Sequence, residues 1–288
     1  MSIKSRRIPG REAVLKKGWL ATNKWLLLRR LSQVGILGLF LTGPLAGIWI
    51  ITGTLAASET LGFLPLTDPL ILLQSVVAGH TVTATTVVGA LIVVVFYAMI
   101  GGRVFCAWVC PVNLLTDTAA WLHRRSGLRQ GVMLSSNIRY WFMAMILVLA
   151  ACTGSIVWEQ LNPVTMFQRG LIFGGLVGGI GAGWLLLVAV FLFDAFVVRR
   201  GWCGHLCPVG AAYSLLGFAS VLRVKAEKRE QCTDCMDCFT VCPEPQVIRP
   251  ALKAEEGGSS VILSNNCLNC GRCIDICPHN IFRFSQRT

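Results

Sequence analysis

The sequence predicts an all-α membrane core of four transmembrane helices, arranged as two hairpin repeats, followed by a small cysteine-rich α+β domain. Three observations predict it. The 288-residue chain is 54% hydrophobic and only 14% charged, with a mean hydropathy of +0.64, a balance that fits a membrane protein carrying a smaller polar part. Four apolar stretches are long enough to cross a bilayer, which takes ~20 helical residues: about 34–57, 83–100, 138–158, and one within 171–198. Twelve of the thirteen cysteines fall into four regular motifs, two of them beyond residue 230, and only Cys152 stands alone.

The placement of Lys and Arg orients the spans. Residues 1–30 carry nine basic residues against one acid, Glu12. The 103–139 connection carries five and the segment from Arg199 onward eleven. The 58–82 connection has none, only Glu59 and Asp68, and 159–170 has a single Arg169. Both termini are therefore expected in the cytoplasm of a bacterial inner membrane protein, with the two poor connections outside. Arg29-Arg30 before an apolar run loosely resembles an export signal. The run is too long and the basic arm too extended for one, so an uncleaved first helix is expected. Leu15, Trp19, Thr22 and Trp25 fall near one helical face, which suits a helix lying on an anionic inner leaflet, and residues 1–9 are expected to be a disordered tail. The net charge of +12 sits beside apolar spans and not on an aromatic-studded soluble face, which argues against nucleic acid as a partner. The expected domains are a basic segment at 1–30, a membrane domain at 31–220 and a cytoplasmic domain at 221–288.

The last domain carries CTDCMDCFTVCP and CLNCGRCIDICP, each a C-x2-C-x2-C-x3-C-P run. This is the spacing with which bacterial ferredoxins hold cubane clusters, the fourth cysteine of each run serving the other cluster. The expected ligand sets are Cys232, Cys235, Cys238 and Cys277 for one [4Fe–4S] cluster, and Cys267, Cys270, Cys273 and Cys242 for the other. Paired zinc sites also use C-x2-C, but zinc needs four ligands and no regular fourth C-P. Disulfides are disfavoured in a reducing cytoplasm.

The membrane part repeats itself. FCAWVCPVN follows the second span and WCGHLCPVG follows the fourth, 97 residues later, each a C-x3-C-P-V with a basic residue just upstream. Two parallel hairpins would bring Cys106, Cys110, Cys203 and Cys207 together at the inner membrane face, as a redox-active thiol site or a further metal centre of unspecified kind. Small buried residues at helix ends are the plainer alternative. Asp68-Pro69 reads as the cap and first residue of a short re-entrant or interfacial helix. His80 and Gln74, with Asp68 or Glu159 helping, are candidates for a quinol site, since a quinol needs hydrogen-bond partners and a proton acceptor; ordinary interfacial polarity is the alternative. Asp194 reads equally as a functional group or as a partner of Arg199 or Arg200. Cys152 reads as a small helix-packing residue, and the pairs Gly174/Gly178 and Gly175/Gly179 as helix-contact sites.

With these residues in view, the chain resembles the NapH-type membrane ferredoxins, the quinol dehydrogenase membrane component of periplasmic nitrate reductase systems. The segments GREAVLKKGW, LTDPLILLQS, FCAWVCPVN, GWCGHLCPVG and CMDCFTVCPEP carry the resemblance, which covers nearly the whole chain. It implies oxidation of quinol and transfer of electrons, with a periplasmic iron–sulfur partner (NapG-like), towards nitrate reductase. The competing functions are an iron–sulfur or thiol reductase that assembles or maintains a metal centre of a respiratory enzyme, as in wider relatives, and a membrane anchor that only docks partners.

Overall fold

The computed structural model describes residues 9–126, 134–172, 182–253 and 258–287. The tail at residues 1–8 and the glycine pairs 174/178 and 175/179 lie outside these residues. Two short helices, α1 (Arg11–Lys17) and α2 (Trp19–Thr22), precede α3 (Lys24–Ala46). The leaflet-bound amphipathic helix expected here is not formed. Gly18, at φ 83° and ψ 163°, breaks it, and the segment docks on the cysteine-rich half instead. The Gly10 N–H donates to Asp237 Oδ2 at 2.9 Å, and the Trp25 and Leu26 N–H groups donate to the Asp275 carboxylate at 3.1 Å each. Leu15 and Trp19 remain exposed.

Helix α3 ends at Gly47 in the left-handed region, φ 71°, eleven residues short of the predicted end. The apolar run continues past it, but as strand: β1 (Ile51–Gly53), β2 (Ala57–Thr60) and β3 (Leu64–Thr67) form an antiparallel meander, with Ile51 opposite Thr60 and Ala57 opposite Thr67. Ile48, Ile50, Ile51 and Thr52 are β-branched and favour this outcome once the helix has stopped. The 58–82 segment is thus no surface loop. Strand β3 lies against α5 (Ala84–Ile100), where a side chain at Gly89 would meet the Pro65 carbonyl at 3.0 Å. Between them α4 (Pro69–Val77) starts as expected, with Asp68 Oδ1 accepting from Leu70 N–H at 2.8 Å and Pro69 in the first turn.

The first C-x3-C-P occupies α6 (Val104–Trp108) and the turn into α7 (Val112–Ser126). Then follow α8 (Ile138–Thr153), α9 (Val157–Leu161), α10 (Pro163–Ile172) and α11 (Ala182–Leu192). The second C-x3-C-P sits in a π-helical turn, Trp202–Leu206, that leads into α12 (Pro208–Leu216). Among the described residues one helix, α3, is long and apolar enough to cross a membrane. Helices α5 and α8 are apolar but shorter, at 17 and 16 residues, because Gly101 (φ 139°) and Gly154 (φ 61°) end them. Four full-length spans are therefore not seen. The fourth stretch is described only from residue 182.

The C-terminal part pairs β4 (Leu222–Ala226) with β5 (Phe282–Gln286) antiparallel, Val224 opposite Phe284. It packs the one-turn helices α13 (Asp237–Val241), α14 (Ile248–Leu252) and α15 (Arg272–Ile276) on a core of Val224, Ile248, Ile262, Ile276 and Phe282. This is an α+β unit of the ferredoxin type.

Candidate metal centres

The two C-terminal runs fold as equivalent loops. Asp234 and Asn269, each two residues past a first cysteine, have φ of 53° and 46°; Met236 and Gly271, each just past a second cysteine, have φ of 61° and 71°. These left-handed residues curl each loop so that three sulfurs face inward, and Cys242 and Cys277 follow at the ends of α13 and α15. Gly271 is required on two counts. Its φ is positive, and an added Cβ would stand 2.5 Å from the Trp25 ring.

The result is two cavities. One is lined by Cys232, Cys235, Cys238 and Cys277, the other by Cys242, Cys267, Cys270 and Cys273. No group of three or more His, Cys, Asp or Glu among the described residues is close enough to grip a single ion. A tetrahedral zinc with bonds of about 2.3 Å would draw its sulfurs to roughly 4 Å of one another. Four cysteines in the ferredoxin spacing line each cavity and fit a [4Fe–4S] cluster. Burial pushes the Cys238 thiol up to about 12 and the Cys267 thiol to about 11, so at neutral pH each holds its proton until a metal displaces it. The second cavity is the more enclosed: Cys270 and Cys273 are buried and Asn269 is buried beside them, whereas the equivalent Asp234 is exposed and paired with Lys253 at 2.9 Å.

A third cavity lies on the helical side. Cys106, Cys110, Cys203 and Cys207 all line it, together with Asp68, Trp158, Asn162 and Trp202. The repeat therefore does bring its four cysteines together. Cys110 lies just before the start of α7 and Cys207 just before Pro208 at the start of α12. Val112 opens one helix and Val209 and Gly210 lie in the first turn of the other, so their N–H groups stand at the helix starts beside these two cysteines. Free N–H groups at a helix start favour a negatively charged sulfur. The third cavity adjoins the second: Cys106 and Cys270 share one core cluster with Leu268, Phe105 and Tyr213, and Trp108 Nε1 donates to the Asn269 carbonyl at 3.2 Å.

Buried charge surrounds this junction. Arg103 and Arg200 stand three residues before Cys106 and Cys203, equivalent positions of the repeat. Arg103 donates to Glu244 Oε1 at 2.6 Å and to the Cys203 carbonyl at 2.9 Å; Arg139 reaches the same Glu244 oxygen at 3.2 Å. Glu244 follows Cys242-Pro243, so one carboxylate ties the helical half to the second cavity. Arg200 pairs with Asp117 at 2.6 Å, and Arg29 with the same carboxylate at 3.2 Å; Arg30 joins them. Burial alone would raise the Asp117 carboxyl, but Arg200, Arg29 and Arg30 overcome it and hold it at about 2. Sequence reading noted a basic residue ahead of each C-x3-C-P but missed the acids, which lie far away in the chain.

The proposed quinol residues separate. Asp68 is buried in the third cavity, where burial raises its carboxyl to about 6 against the opposing Leu70 and Ile71 N–H groups. His80 is exposed at the far end of α4, and nine helical residues span ~13 Å, so it does not share a site with Asp68. Gln74 is fully buried, its Oε1 accepting from Trp158 N–H at 3.1 Å. Glu159 pairs with Arg169 at 3.2 Å on the rim. Asp194 does not take an arginine. Its Oδ1 accepts from Trp202 N–H at 2.9 Å and so pins the π-helical turn that carries Cys203. Cys152 is exposed on α8.

Family models agree with this division. A 4Fe-4S binding domain matches residues 82–129 and again 180–228, and a 4Fe-4S dicluster domain matches 231–281. The chain is 47% identical over 282 residues to the ferredoxin-type protein NapH of Haemophilus influenzae, covering 98% of this chain and 96% of the relative, and equally to NapH of Escherichia coli. It is 52% identical over 275 residues to the methylamine utilization ferredoxin-type protein MauN of Paracoccus denitrificans, covering 96% and 95%. No solved structure matches it. Taken with the paired cysteine cavities, identity of this extent over the whole length makes the chain a member of the NapH-type ferredoxin proteins, an iron–sulfur electron-transfer family.

Proposed function

We propose that this protein takes electrons from a membrane quinol and passes them through two ferredoxin-type [4Fe–4S] clusters to a partner redox enzyme. The observation that carries the reading is the contiguity of the sites. A cavity holding a buried carboxylate and four thiols on the helical side abuts the Cys242/Cys267/Cys270/Cys273 cavity, which shares a core with the Cys232/Cys235/Cys238/Cys277 cavity near the surface. Quinol oxidation releases two electrons and two protons. Asp68, buried and able to hold a proton, would accept one proton and solvent the other, and the two clusters held by the ferredoxin cysteines would take one electron each.

The exposed faces support membrane embedding. Leu27, Leu28, Leu31 and Val34 on α3, Val87, Leu91, Val95 and Phe96 on α5, and Trp141, Met145 and Val148 on α8 all face outward. An apolar belt of this extent requires lipid or protein cover. Seventeen helical residues rise ~25 Å against a hydrocarbon core of ~30 Å, so α5 needs only its flanking residues to complete a crossing. The four-span arrangement with both termini cytoplasmic is retained on this ground and on the charge pattern.

The name NapH points to a nitrate reductase system as the destination. The 52% identity to MauN supports a second destination, a methylamine-utilising system, served by the same core. The test is anaerobic purification followed by mixing with a quinol analogue under EPR. Cluster signals that appear on quinol addition support the reading. Clusters that are reduced by dithionite but left untouched by quinol would refute it.

A further inference from the structure

We propose that an apolar chamber between α7, α10 and α11 binds the quinol, its ring end at Pro111 and Val112 and its isoprenoid chain along α11. The inference deepens the quinol reading and rests on it for the identity of the ligand. Three observations carry it.

The first is size and lining. The chamber has a volume of about 390 Å³, and Leu115, Thr118, Phe167, Trp184, Val188 and Phe191 form most of its wall. Small-molecule sites are mostly apolar and span roughly 300–1,000 Å³. Trp184, Val188 and Phe191 fall at i, i+4 and i+7 on α11, a stripe ~10 Å long on one helix face. Leu114, Thr118 and Val188 are exposed along the chamber, and Leu185 and Leu192 are exposed on either side of Val188. An apolar ligand can therefore enter from the lipid-facing surface.

The second is position. Val112 lines both this chamber and the third cavity, and Pro111 follows Cys110 directly. The four cysteines of the third cavity lie within the two matches to a 4Fe-4S binding domain, so a quinol has to sit beside that cavity and not in it. The chamber meets this requirement, with one peptide segment between ligand and sulfur.

The third is the chemistry of the wall. Among the described residues no charged group lines the chamber, so nothing there holds the phosphate of a phospholipid. The indole Nε1 of Trp184 is buried with no partner, and an unmatched buried donor calls for an acceptor oxygen. Gly170 makes room for this indole, since a Cβ there would stand 3.1 Å from Nε1, and Phe167 meets its ring edge-on at 6.0 Å. The donor is at the ring end. His123 Nδ1 lies 2.8 Å from the Ala195 carbonyl, and eleven residues earlier on each side stand Val112 and Trp184, which places them level along two helices that line one chamber. A quinol supplies both an acceptor oxygen for Trp184 and a hydrocarbon chain for the remaining wall.

The experiment compares two quinols with the same ring, one bearing an isoprenoid chain and one without it, as reductants of the full-length protein purified anaerobically in detergent. Val188→Trp fills the chain part of the chamber. It should raise KM for the chained quinol about tenfold and leave KM and kcat for the chainless one within two-fold. Val148→Trp, on the exposed face of α8, should change neither. Trp184→Phe removes only the N–H and should raise KM for both quinols about fivefold. Equal effects of Val188→Trp on the two quinols, or none on either, overturn the proposal. A second measurement does not depend on a variant folding. A quinone with a photoreactive azide at the chain end should label α7 or α11 of the wild-type protein, and excess chained quinol should suppress the label. Labelling elsewhere, or labelling suppressed by added phospholipid and not by quinol, refutes the chamber as the quinol site. If neither quinol reduces the clusters the quinol reading fails by itself, and the photolabel still decides what the chamber binds.

Discussion

Replacing Glu244 by Gln tests how the two halves are joined. Glu244 Oε1 accepts from Arg103 at 2.6 Å and from Arg139 at 3.2 Å, and the three side chains are 0–4% exposed. Glutamine keeps the shape and one acceptor but removes the charge from between two guanidiniums that no water reaches. Charge-assisted hydrogen bonds contribute ~1.5–3 kcal/mol each, and breaking a buried pair from one side costs ~3–5 kcal/mol; both routes give about 4 kcal/mol. For a chain of this size that corresponds to roughly 10 °C in the thermal midpoint. The assay is circular dichroism melting of the detergent-solubilised protein at one fixed scan rate, since unfolding of such a chain is governed by rate. Glu159→Gln is the control. Its partner Arg169 is 56% exposed, and an exposed pair contributes ~0–1 kcal/mol. Equal shifts for Glu244→Gln and Glu159→Gln, or a Glu244→Gln shift below about 2 °C, would refute the account of Glu244 as the tie between the halves.

Further outcomes follow from single contacts. Gly102→Ala places a Cβ 1.8 Å from the Tyr213 carbonyl oxygen; backbone cannot move aside cheaply, so a loss above ~3 kcal/mol should appear as strongly reduced yield of folded protein. Gly271→Ala forces a side chain into φ 71° and against Trp25, costing ~1–3 kcal/mol, and should speed tryptic cleavage around Lys16 and Lys17 as the N-terminal segment lifts off. Asp117→Asn should cost about 2.5 kcal/mol at neutral pH, the free-energy equivalent of holding the carboxyl at about 2 instead of 3.8. Because the folded-state value is depressed, that stabilisation is complete above pH 3.8 and fades as pH falls towards 2; a wild-type and variant pair with equal melting midpoints at pH 7 would contradict it. Asp68→Asn retains the helix cap, since Asn caps as well as Asp, and should slow reduction by a quinol analogue about 10²-fold at unchanged iron content. His80→Ala, at the other end of α4, should leave that rate within two-fold.

The ferredoxin cysteines were legible because their chemistry is local: each run holds four ligand residues within eleven positions, and the loop geometry follows from spacing. The repeat was legible for the same reason, and so was the cap at Asp68. Helix lengths were not, because an apolar run does not record where a glycine enters the left-handed region. Gly47 turns residues 48–57 from the expected helix into the start of a meander, and Gly101 and Gly154 shorten two further helices. Long-range polar contacts were hidden as well. Gly10 meets Asp237 across 227 residues and Arg103 meets Glu244 across 141; a basic residue before a cysteine motif is visible, but its counter-ion is not. Within the amphipathic pattern of residues 15–25, Trp25 packs on Trp108 and Phe284 of the same chain, a contact the pattern does not record, while Leu15 and Trp19 stay exposed.

The duplicated motif has a physical consequence that a single copy would lack. Each copy delivers an arginine three residues before its first cysteine and a helix start at its second, so each brings a cation and a set of free N–H groups to the same pole. One copy alone would present two thiols in a positively biased pocket, a setting for a reactive pair. Two copies, with Arg103 reaching across to the Cys203 carbonyl, close the pocket and draw its four sulfurs round one void. The arginines then face the second ferredoxin cavity as well: Arg200 feels Cys242 and Cys270, and Arg103 grips the glutamate that follows Cys242. Positive charge beside the second ferredoxin cavity stabilises the reduced form of a centre held there, lowering the cost of placing an electron on it. Neutralising Arg200 should therefore lower the potential of the Cys242/Cys267/Cys270/Cys273 centre, whereas neutralising the exposed Arg283 should leave it in place. A redox titration of Arg200→Gln in which that centre is unshifted would break the argument.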